Sequence, residues 1–428
     1  MRLALHWQIL IALALAALAG ALSGTEGALL GVRLYAVYDF LGTLFLNALK
    51  MLIVPLILAS IISGMANMGE GGALGRLGGK TLLYYVTTSL LAILLGLFLV
   101  NLTQPGIVDG EPAREALGLT AKLDPGLQAK VEGQDMGAVA EIFLRLVPPN
   151  IVEAAAEGQM LGLIFFGLLF GFFMTRLRAP LKDTLVNFWN GVFEVMMMIT
   201  DWVMRFAPIG VFGLVAKVVA STGYSAIAPL AVFFFTALAA LALHLFVTIP
   251  LLLRLVAGVN PLDMFRAMAP ALLTAFSTSS SSATLPLTME CVEKNAGVSN
   301  RVSSFVLPLG ATVNMDGTAL YECVAALFIA QAYGLELGFA EQFLVVFTAL
   351  LTSIGVAGIP AASLVAITII LAAMGLPAEA VGLILAVDRV LDMVRTTVNV
   401  FSDASGAVII ARLEGERPFS RAPVRDPA

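Results

Sequence analysis

The chain has 428 residues, of which 59% are hydrophobic and only 12% charged, and its formal net charge is −5. Soluble domains carry about 25% charged residues, so this composition excludes an ordinary soluble protein and indicates a polytopic membrane protein. No long basic run occurs, so no nucleic-acid partner is predicted. Cys291 and Cys323 both lie in apolar segments, which predicts neither a disulfide framework nor a zinc site.

The first part of the chain contains a series of apolar runs, and about 20 apolar residues cross a bilayer as a helix. These runs predict helices at residues 4–23, 39–65, 81–103, 158–176, 184–220 and 226–257. The first run also has features of a signal peptide, but its length and the spans that follow favour a first transmembrane helix. The polar insert at 108–140 is predicted to be a solvent-exposed loop with a short amphipathic piece.

Positively charged residues indicate how these helices are oriented. They lie between alternate spans and in the C-terminal tail, at Arg76, Lys80, Arg176, Arg178, Lys182, Arg254, Arg412, Arg417, Arg421 and Arg425. All of them fall on one side if the N-terminus is cytoplasmic, and short cytoplasmic loops are the ones enriched in such residues. The pattern predicts a multi-pass protein of the plasma or inner membrane, with both termini cytoplasmic.

Two apolar segments after residue 258 are interrupted in the middle. Segment 261–291 is broken by a Ser/Thr run and Pro286, and segment 340–374 by the glycines and proline of GVAGIP. Irregular backbone at membrane depth is tolerated only where it is packed in protein or lines a cavity. Two such segments in corresponding positions point to a transporter with inverted repeats. We therefore expect two re-entrant helical hairpins, each followed by a helix, at 300–332 and 378–412.

A polar stripe follows one face of the last predicted helix. Its members, at i, i+4, i+7, i+8, i+11 and i+15, are Asp388, Asp392, Arg395, Thr396, Asn399 and Asp403. A charge at bilayer depth costs about 2.5–3.5 kcal/mol or more, so these residues are expected to be functional. The planar fork of Arg395 matches a carboxylate, and Asp392 would bind an ammonium. The alternative is an internal salt bridge of Arg395 with Asp392 or Asp388, which is compatible with an empty site.

The segment NMDGT places oxygen-bearing side chains in the middle of the helix at 300–332. Gly317 is expected to allow a local unwinding that frees backbone carbonyls. Hard cations prefer oxygen ligands. A dehydrated Na⁺ site is therefore predicted from Asn314, Asp316, Asn399 and Asp403. The alternative is a polar contact between helices in which Asp316 pairs with Arg389 or Arg395.

Three further features of the sequence bear on function. The serine run that ends at Ser282 would cradle a carboxylate if it formed the N-terminus of a half-helix. Glu322 lies beyond NMDGT in an apolar setting and is a candidate proton carrier, with a permanently protonated or paired glutamate as the alternative. No second His or Cys is placed to join His244, so a packing or interface role is expected for it rather than a ligand role.

Together, these segments resemble the dicarboxylate/amino acid:cation symporter family, the glutamate transporters. The segments STSSSSATLP, LPLGATVNMDGTALYE, SIGVAGIPAA and DRVLDMVRTTVNVFSDASG occur in the order of the family's signatures, and KMLIVPLI and PPNIVEAAAEGQMLGLIFFGLLFG are similar to its early motifs. The resemblance covers nearly the whole chain. It implies an all-α fold of eight transmembrane helices and two re-entrant hairpins, assembled in lipid as a homotrimer.

The resemblance also implies a scaffold and a transport domain that slides in elevator fashion, with the second hairpin as the extracellular gate. The expected segments are scaffold helices 1 and 2 at 1–80, transport-domain helix 3 at 81–107, an extracellular loop at 108–140, scaffold helices 4 and 5 at 141–225, the rest of the transport domain (helix 6, hairpin 1, helix 7, hairpin 2 and helix 8) at 226–412 and a cytoplasmic tail at 413–428.

Motif by motif, the resemblance implies ligand positions. Substrate positions are matched by Ser280, Ser281, Thr318, Gly358, Asp392, Arg395, Thr396 and Asn399. In the family, the position of Asp392 takes the α-amino group, that of Arg395 the side-chain carboxylate and that of Asn399 the α-carboxylate. Positions for three Na⁺ ions are also matched. The first ion's positions are Gly310, Asn314, Asn399 and Asp403, and the second ion's are Thr312, Met315, Ser353 and Ile354. The third ion's are Tyr85, Thr88, Ser89, Asn314 and Asp316.

The resemblance leaves the coupling ion and the return step open. Glu322 matches a position that is Glu in proton-coupled members and Gln in sodium-only archaeal ones, which favours proton co-transport. Many prokaryotic relatives have an arginine at the position of Ser279, and animal members have one at that of Met393. This chain has neither, so the potassium dependence of its return step stays open. No cofactor is expected beyond Na⁺ and H⁺ as coupling ions.

The expected function is a symporter of L-glutamate and L-aspartate coupled to Na⁺ and/or H⁺. C4-dicarboxylate carriers of the family do not need an Asp at 392, and neutral amino acid exchangers do not need an Arg at 395; these are the alternatives. An intramembrane serine hydrolase would need a base near the serine run, and His6, His244 and Lys294 are not placed to act as one, so no enzyme is expected. A channel or a sensor is a further class.

Overall fold

A computed structural model describes most of the chain, and helices make up nearly all of it. The described residues are 5–67, 76–114, 116–117, 144, 147–156, 160–222, 227–335, 337–355 and 362–419. Most of the predicted 108–140 loop and the tip of the second predicted hairpin, including Gly358, lie outside them.

The first two helices are joined by a tight strand pair. Helix α1 (Leu5–Ser23) is followed by β1 (Ala28–Leu29), β2 (Val32–Arg33) and α2 (Leu34–Asn67). Leu30 and Gly31 have φ angles of 53° and 82°, as in the two-residue turns that suit antiparallel strands. Next come α3 (Arg76–Thr103) and a second strand pair, β3 (Ile107–Val108) and β4 (Glu111–Pro112).

Four helices follow the predicted loop. They are α4 (Ile151–Ala156), α5 (Met160–Met174), α6 (Ala179–Met204) and α7 (Ala207–Thr222). The single span expected at 184–220 is therefore wrong, since the helix is broken at residues 205–206. Pro208 lies in the first turn of α7, where its missing N–H removes no helical hydrogen bond. Lys217 Nζ of α7 lies 2.6 Å from Asp39 Oδ1 of α2.

The segment predicted as a span at 226–257 is one helical run with two wide turns. It consists of α8 (Ile227–Leu243), a π-turn (His244–Thr248), α9 (Ile249–Leu252) and a second π-turn (Leu253–Ala257). Pro250 has no N–H to donate into the preceding turn, which accounts for local widening. The run ends at Gly258, whose φ of 67° favours glycine.

The first interrupted segment folds as two helices that pack against each other. Helix α10 (Pro261–Thr278) ends at Ser279, which has a φ of 52°, and α11 (Ser281–Glu290) begins two residues later. A π-turn (Cys291–Asn295) follows, and the Asn295 side-chain amide donates to the carbonyl of Ala267 at 2.9 Å. The serine run thus forms the tip of a helical hairpin.

The remaining helices form the most buried part of the molecule. They are α12 (Asn300–Val313), α13 (Asp316–Ala332), α14 (Phe339–Gly355), α15 (Ala362–Ala373), a 3₁₀ turn (Ala378–Leu383) and α16 (Leu385–Leu413). Helix α13 is buried almost throughout and packs against α3, α14, α15 and α16. Close packing requires glycine at Gly406, where an added Cβ would lie 2.6 Å from the ring of Tyr84.

The helices pack in two groups. Helix α7 packs on α1 and α2, and α2 also packs on α5 and α6, whereas α3 packs on α13 and α16. Helix α3 therefore joins the C-terminal half of the chain, although it follows α2 in sequence. Among the described residues, three segments are long and apolar enough to cross a membrane: Arg76–Thr103, Ala228–Ala257 and Asn300–Ala332.

An ion-pair network connects the end of α16 to α3 and α12. Glu414 Oε1 lies 2.7 Å from Lys80 Nζ and 3.3 Å from Arg76 Nε, and its Oε2 lies 3.1 Å from Arg301 Nη2. Hydrogen bonds from Lys80 and Arg76 lower the pKa of the Glu414 carboxyl below its usual value. The network holds one end of three helices together.

Candidate functional site

The segment NMDGT interrupts the helix between α12 and α13, as the sequence predicts, but the gap lies at Asn314 and Met315 rather than at Gly317, which belongs to α13. Asn314 and Met315 have ψ angles of 80° and 61°, which are far from helical values. Gly317 follows at a close crossing with α16, where an added Cβ would lie 2.6 Å from the carbonyl oxygen of Arg395. Its N–H donates to Asn399 Oδ1 at 2.8 Å. The N-terminus of α13 is therefore held against the middle of α16.

Six buried side chains around this gap form what we call the oxygen cluster. Its members are Thr88, Ser89, Asn314, Asp316, Ser402 and Asp403. The Asn314 side-chain amide donates to Asp403 Oδ1 at 2.9 Å and to Ser402 Oγ at 3.1 Å. Asp316 accepts from the hydroxyls of Ser89 at 2.7 Å and Ser402 at 2.6 Å. Helices α3, α13 and α16 and the gap all contribute to the cluster.

Among the described residues, the two carboxylates of the oxygen cluster, Asp316 and Asp403, have no arginine or lysine partner. A buried carboxylate without a cation costs several kcal/mol. Hydroxyl, amide and carboxylate oxygens are the ligands that hard cations prefer. The donor set of the cluster therefore fits a cation such as Na⁺.

His244 makes a polar contact that the expected packing role does not include. Its ring is fully buried in the π-turn after α8, and Nε2 lies 3.2 Å from Asp316 Oδ2. Nδ1 has no hydrogen-bond partner among the described atoms. Pro250, six residues further on, is the sequence signal that could have marked this turn, because proline donates no N–H to the preceding turn. Such π-turns are frequent at functional sites.

Other residues matched to Na⁺ positions adjoin the oxygen cluster. A Cβ on Gly310 would lie 2.6 Å from Asp403 Oδ1 and 2.9 Å from the Tyr85 hydroxyl, so these three positions meet. The Tyr85 hydroxyl donates to the carbonyl of Val306 at 2.6 Å. Beside them, the Thr88 hydroxyl lies 3.2 Å from the Oδ1 of the gap asparagine.

The second set of matched Na⁺ positions is described only in part. Met315 lies in the gap and is buried, and the buried Ser353 near the end of α14 donates its hydroxyl to the carbonyl of Leu350 at 2.9 Å. Thr312 belongs to α12 and Ile354 to α14, but their side chains lie outside the described atoms.

Four charged side chains of α16 form what we call the charge cluster: Asp388, Arg389, Asp392 and Arg395. Arg395 is 2% exposed, and its Nη1 donates to Asp388 Oδ1 at 2.9 Å. Its Nε and Nη2 both donate to Asp392 Oδ1, at 3.0 and 2.7 Å. Arg389 Nη1 donates to the other oxygen, Asp392 Oδ2, at 3.2 Å. The Arg395 guanidinium also lies 4.6 Å from the ring centroid of Tyr321.

The structure decides between the pairings that the sequence leaves open. The internal salt bridge of Arg395 is present, and both Asp388 and Asp392 take part in it. The alternative pairing of Asp316 with an arginine is not formed, since Arg389 and Arg395 both contact Asp392 instead.

Thr396 and Asn399 lie between the two clusters along α16. The Thr396 hydroxyl donates to the carbonyl of Asp392 at 2.8 Å. Asn399 donates from its amide nitrogen to the Thr318 hydroxyl at 3.0 Å, while its oxygen accepts from the start of α13. The start of α13 is therefore hydrogen-bonded to the polar face of α16.

The tip of the first hairpin presents serine hydroxyls at the N-terminus of α11. Ser280 caps this helix, because its hydroxyl accepts from the N–H of Ala283 at 3.2 Å. Ser281 is buried, and the buried Ser279 hydroxyl has no partner among the described atoms. Helix α11 packs against α16. A helix N-terminus lined by serine hydroxyls is suited to an anionic group.

Glu322 is fully buried between α13 and α14. Its Oε2 accepts from the Thr352 hydroxyl at 2.7 Å, and its Oε1 has no partner among the described atoms. Burying a charged carboxylate with one hydroxyl partner in an apolar setting costs much free energy. Burying the neutral, protonated carboxyl group costs much less. The surroundings therefore suit a carboxyl group that carries a proton.

Comparison with known proteins gives consistent matches over the whole chain. Residues 5–413 match the model of the sodium:dicarboxylate symporter family. The chain is 35% identical over 416 residues to the proton/glutamate-aspartate symporter of Escherichia coli strain K12. The aligned residues cover 96% of this chain and 93% of that protein. It is 33% identical over 416 residues to the proton/sodium-glutamate symport protein of Geobacillus stearothermophilus, covering 97% and 96%.

A relative named for another substrate class matches equally well. The human neutral amino acid transporter B(0) is 38% identical over 421 residues, which cover 91% of this chain and 76% of that protein. Overall identity therefore does not separate acidic from neutral substrates.

Proposed function

Because this chain belongs to the sodium:dicarboxylate symporter family, we propose that it is a secondary active symporter of L-glutamate and L-aspartate. The coupling ions are Na⁺, H⁺ or both. One observation carries the proposal: Arg395 is buried between two aspartates, next to a cluster of buried oxygens that has no arginine or lysine partner among the described residues. The first arrangement suits a molecule with two carboxylates and an ammonium, and the second suits a cation.

The family resemblance implies how the groups of the substrate are placed, and the charges of Arg395 and Asp392 agree with it. Arg395 exchanges its bonds to the aspartates for the side-chain carboxylate, which its planar fork binds through two parallel hydrogen bonds. Asp392 accepts from the α-ammonium, and Asn399 donates to the α-carboxylate. The remaining contacts are assigned to Ser280, Ser281, Thr318, Gly358 and Thr396. The assignment of Gly358 is supported by the family resemblance alone.

The oxygen cluster is proposed to bind Na⁺ together with its neighbours. The proposed ligands are Tyr85, Thr88, Ser89, Gly310, Thr312, Asn314, Met315, Asp316, Ser353, Ile354, Asn399 and Asp403. A cation there removes the cost of the buried carboxylates and orders the start of α13, which contacts Asn399. Substrate affinity then depends on the ion, and ion affinity on the substrate. Glu322 is proposed as the proton carrier.

The proposed architecture follows the family pattern. Eight transmembrane helices and two re-entrant hairpins would form a scaffold and a sliding transport domain, with both termini cytoplasmic and three copies per assembly. The packing of α3 on α13 and α16 rather than on α1 supports placing helix 3 with the segment 226–412.

Uptake by the purified protein tests the proposal. Proteoliposomes would receive radiolabelled L-aspartate or L-glutamate under a Na⁺ gradient, an H⁺ gradient or both, with K⁺ inside or absent. Accumulation against a gradient supports symport. Binding of aspartate without accumulation under any gradient would contradict it and indicate a sensor.

Glu322→Gln separates the two coupling ions. Gln keeps an oxygen that accepts from Thr352, so the fold is expected to survive. We expect uptake driven by H⁺ to be lost and uptake driven by Na⁺ to remain. If the wild type needs Na⁺ alone, Glu322 has no part in coupling.

A further inference from the structure

Asp392 is shared between two arginines in this structure. Its Oδ1 accepts from the Nε and Nη2 of Arg395, and its Oδ2 accepts from the Nη1 of Arg389 at 3.2 Å. The Arg389 side chain is only 12% exposed, and its buried Nε has no hydrogen-bond partner among the described atoms. Arg389 thus occupies the oxygen of Asp392 that Arg395 leaves open.

The formal charges of the charge cluster cancel only because of Arg389. Two guanidinium groups, of Arg389 and Arg395, face two carboxylates, of Asp388 and Asp392. When a substrate carboxylate draws Arg395 away, Arg389 is the remaining cation on Asp392. A substrate ammonium that takes the vacated Oδ1 then competes with Arg389 for the charge of Asp392, which Arg389 already offsets through Oδ2. A substrate without an ammonium leaves that ion pair intact.

We propose that Arg389 is a specificity-determining residue that competes with the substrate ammonium for Asp392. It lowers the advantage of amine-bearing substrates over amine-free dicarboxylates of the same length. The proposal rests on the proposed function, since it takes Asp392 as the ammonium site. Specificity is a difference between two affinities, so the measured quantity is the ratio of the affinities for L-aspartate and succinate.

The test compares the purified wild type with Arg389→Gln. Displacement of radiolabelled L-aspartate by unlabelled L-aspartate and by succinate gives both affinities. Loss of one charge-assisted hydrogen bond corresponds to about a tenfold change or more, so the preference for aspartate over succinate should rise at least about tenfold in the variant. Arg389→Lys, which keeps the charge, should stay within about threefold of the wild type.

Arg301→Gln is the matched control, because Arg301 is exposed and pairs with Glu414 away from the charge cluster. An unchanged ratio in Arg389→Gln would overturn the proposal, as would a wild type from which succinate displaces no aspartate even at about 10 mM. The succinate displacement from the wild type does not depend on whether any variant folds. Failure of the wild type to bind aspartate at all would instead count against the proposed function.

Discussion

The two clusters along α16 balance their charges in different ways. In the charge cluster, two guanidinium groups and two carboxylates lie within ion-pair distance and their charges cancel. In the oxygen cluster, Asp316 and Asp403 receive hydrogen bonds from hydroxyl and amide groups and, at Asp316, an imidazole contact. A ligand of the first cluster must replace existing partners. A ligand of the second supplies the charge that is missing there.

On the proposed function, this difference would give the two clusters separate tasks. Exchange of partners gives selectivity, because a ligand of the wrong shape or charge leaves buried groups unpaired. A missing charge gives dependence on a cation. Asn399 and the start of α13 join the two, since Asn399 bonds to both Gly317 and Thr318. Mutations in one cluster should therefore alter selectivity, and mutations in the other should alter ion dependence.

Arg395→Cys should have the largest effect. Removing one partner of a buried ion pair costs about 3–5 kcal/mol, which corresponds to a loss of about 10²- to 4 × 10³-fold in aspartate affinity. Without the guanidinium, neutral amino acids no longer face an unpaired cation and should bind better. Uptake of labelled aspartate, serine and alanine measures both changes. Unchanged aspartate affinity would contradict the role of Arg395, and Arg301→Cys is the control.

Asp403→Asn should lower the affinity for Na⁺ without changing the preference among substrates. Asn keeps an oxygen that accepts from Asn314 but removes a charge from the oxygen cluster. We expect the Na⁺ concentration for half-maximal aspartate binding to rise about 10- to 100-fold. Asp263→Asn, at an exposed position, should leave it unchanged. If Asp403→Asn changed only the order of preferred substrates, the two clusters would not have separate roles in ion binding and substrate selectivity.

His244 variants test whether the imidazole positions Asp316. His244→Leu removes the hydrogen bond, whereas His244→Gln retains an N–H donor. The measured quantity is the Na⁺ concentration that gives half of the maximal rise in unfolding temperature. We expect this concentration to increase about 5- to 10-fold in the Leu variant and less than about twofold in the Gln variant. Equal behaviour of the two variants would mean that His244 only fills space.

Glu414→Gln should have the smallest effect, on stability alone. It removes the charge that meets Arg76, Lys80 and Arg301 at the end of α16, and ion pairs whose basic side chains reach solvent contribute little. We expect the thermal midpoint to fall by about 1–3 °C at pH 7.

The same network makes a prediction about pH. The pKa of Glu414 is lowered in the folded state. Its stabilisation is therefore present above the unfolded pKa and lost as the pH falls through the folded one. The difference in thermal midpoint between wild type and Glu414→Gln should shrink in acid. A difference that stays constant down to about pH 3 would contradict the ion-pair explanation.

Features set by local periodicity could be predicted from the sequence. The spacing of Asp388, Asp392 and Arg395 placed them on one face of a helix, and the structure joins them. The gap at NMDGT and the break in the serine run follow from residues that interrupt helices. These effects act within a few residues, so a single sequence contains them.

Features that depend on which helices meet could not be predicted in this way. The contact between His244 and Asp316 joins residues 72 positions apart and requires the packing of α8 against α13. Arg389 lies outside the stripe as the spacing defines it, yet the i, i+3 relation brings it to Asp392. The division of the span at 184–220 into two helices was missed although Pro208 lies at the break.

Titration of L-aspartate into the purified protein at a series of Na⁺ concentrations tests the central claim most directly. The pH is held fixed, and choline replaces Na⁺ to keep the ionic strength constant. If the oxygen cluster supplies ion dependence to the charge cluster, the Kd for aspartate should fall at least about tenfold between roughly 1 and 100 mM Na⁺. A Kd that does not change over this range would contradict the account.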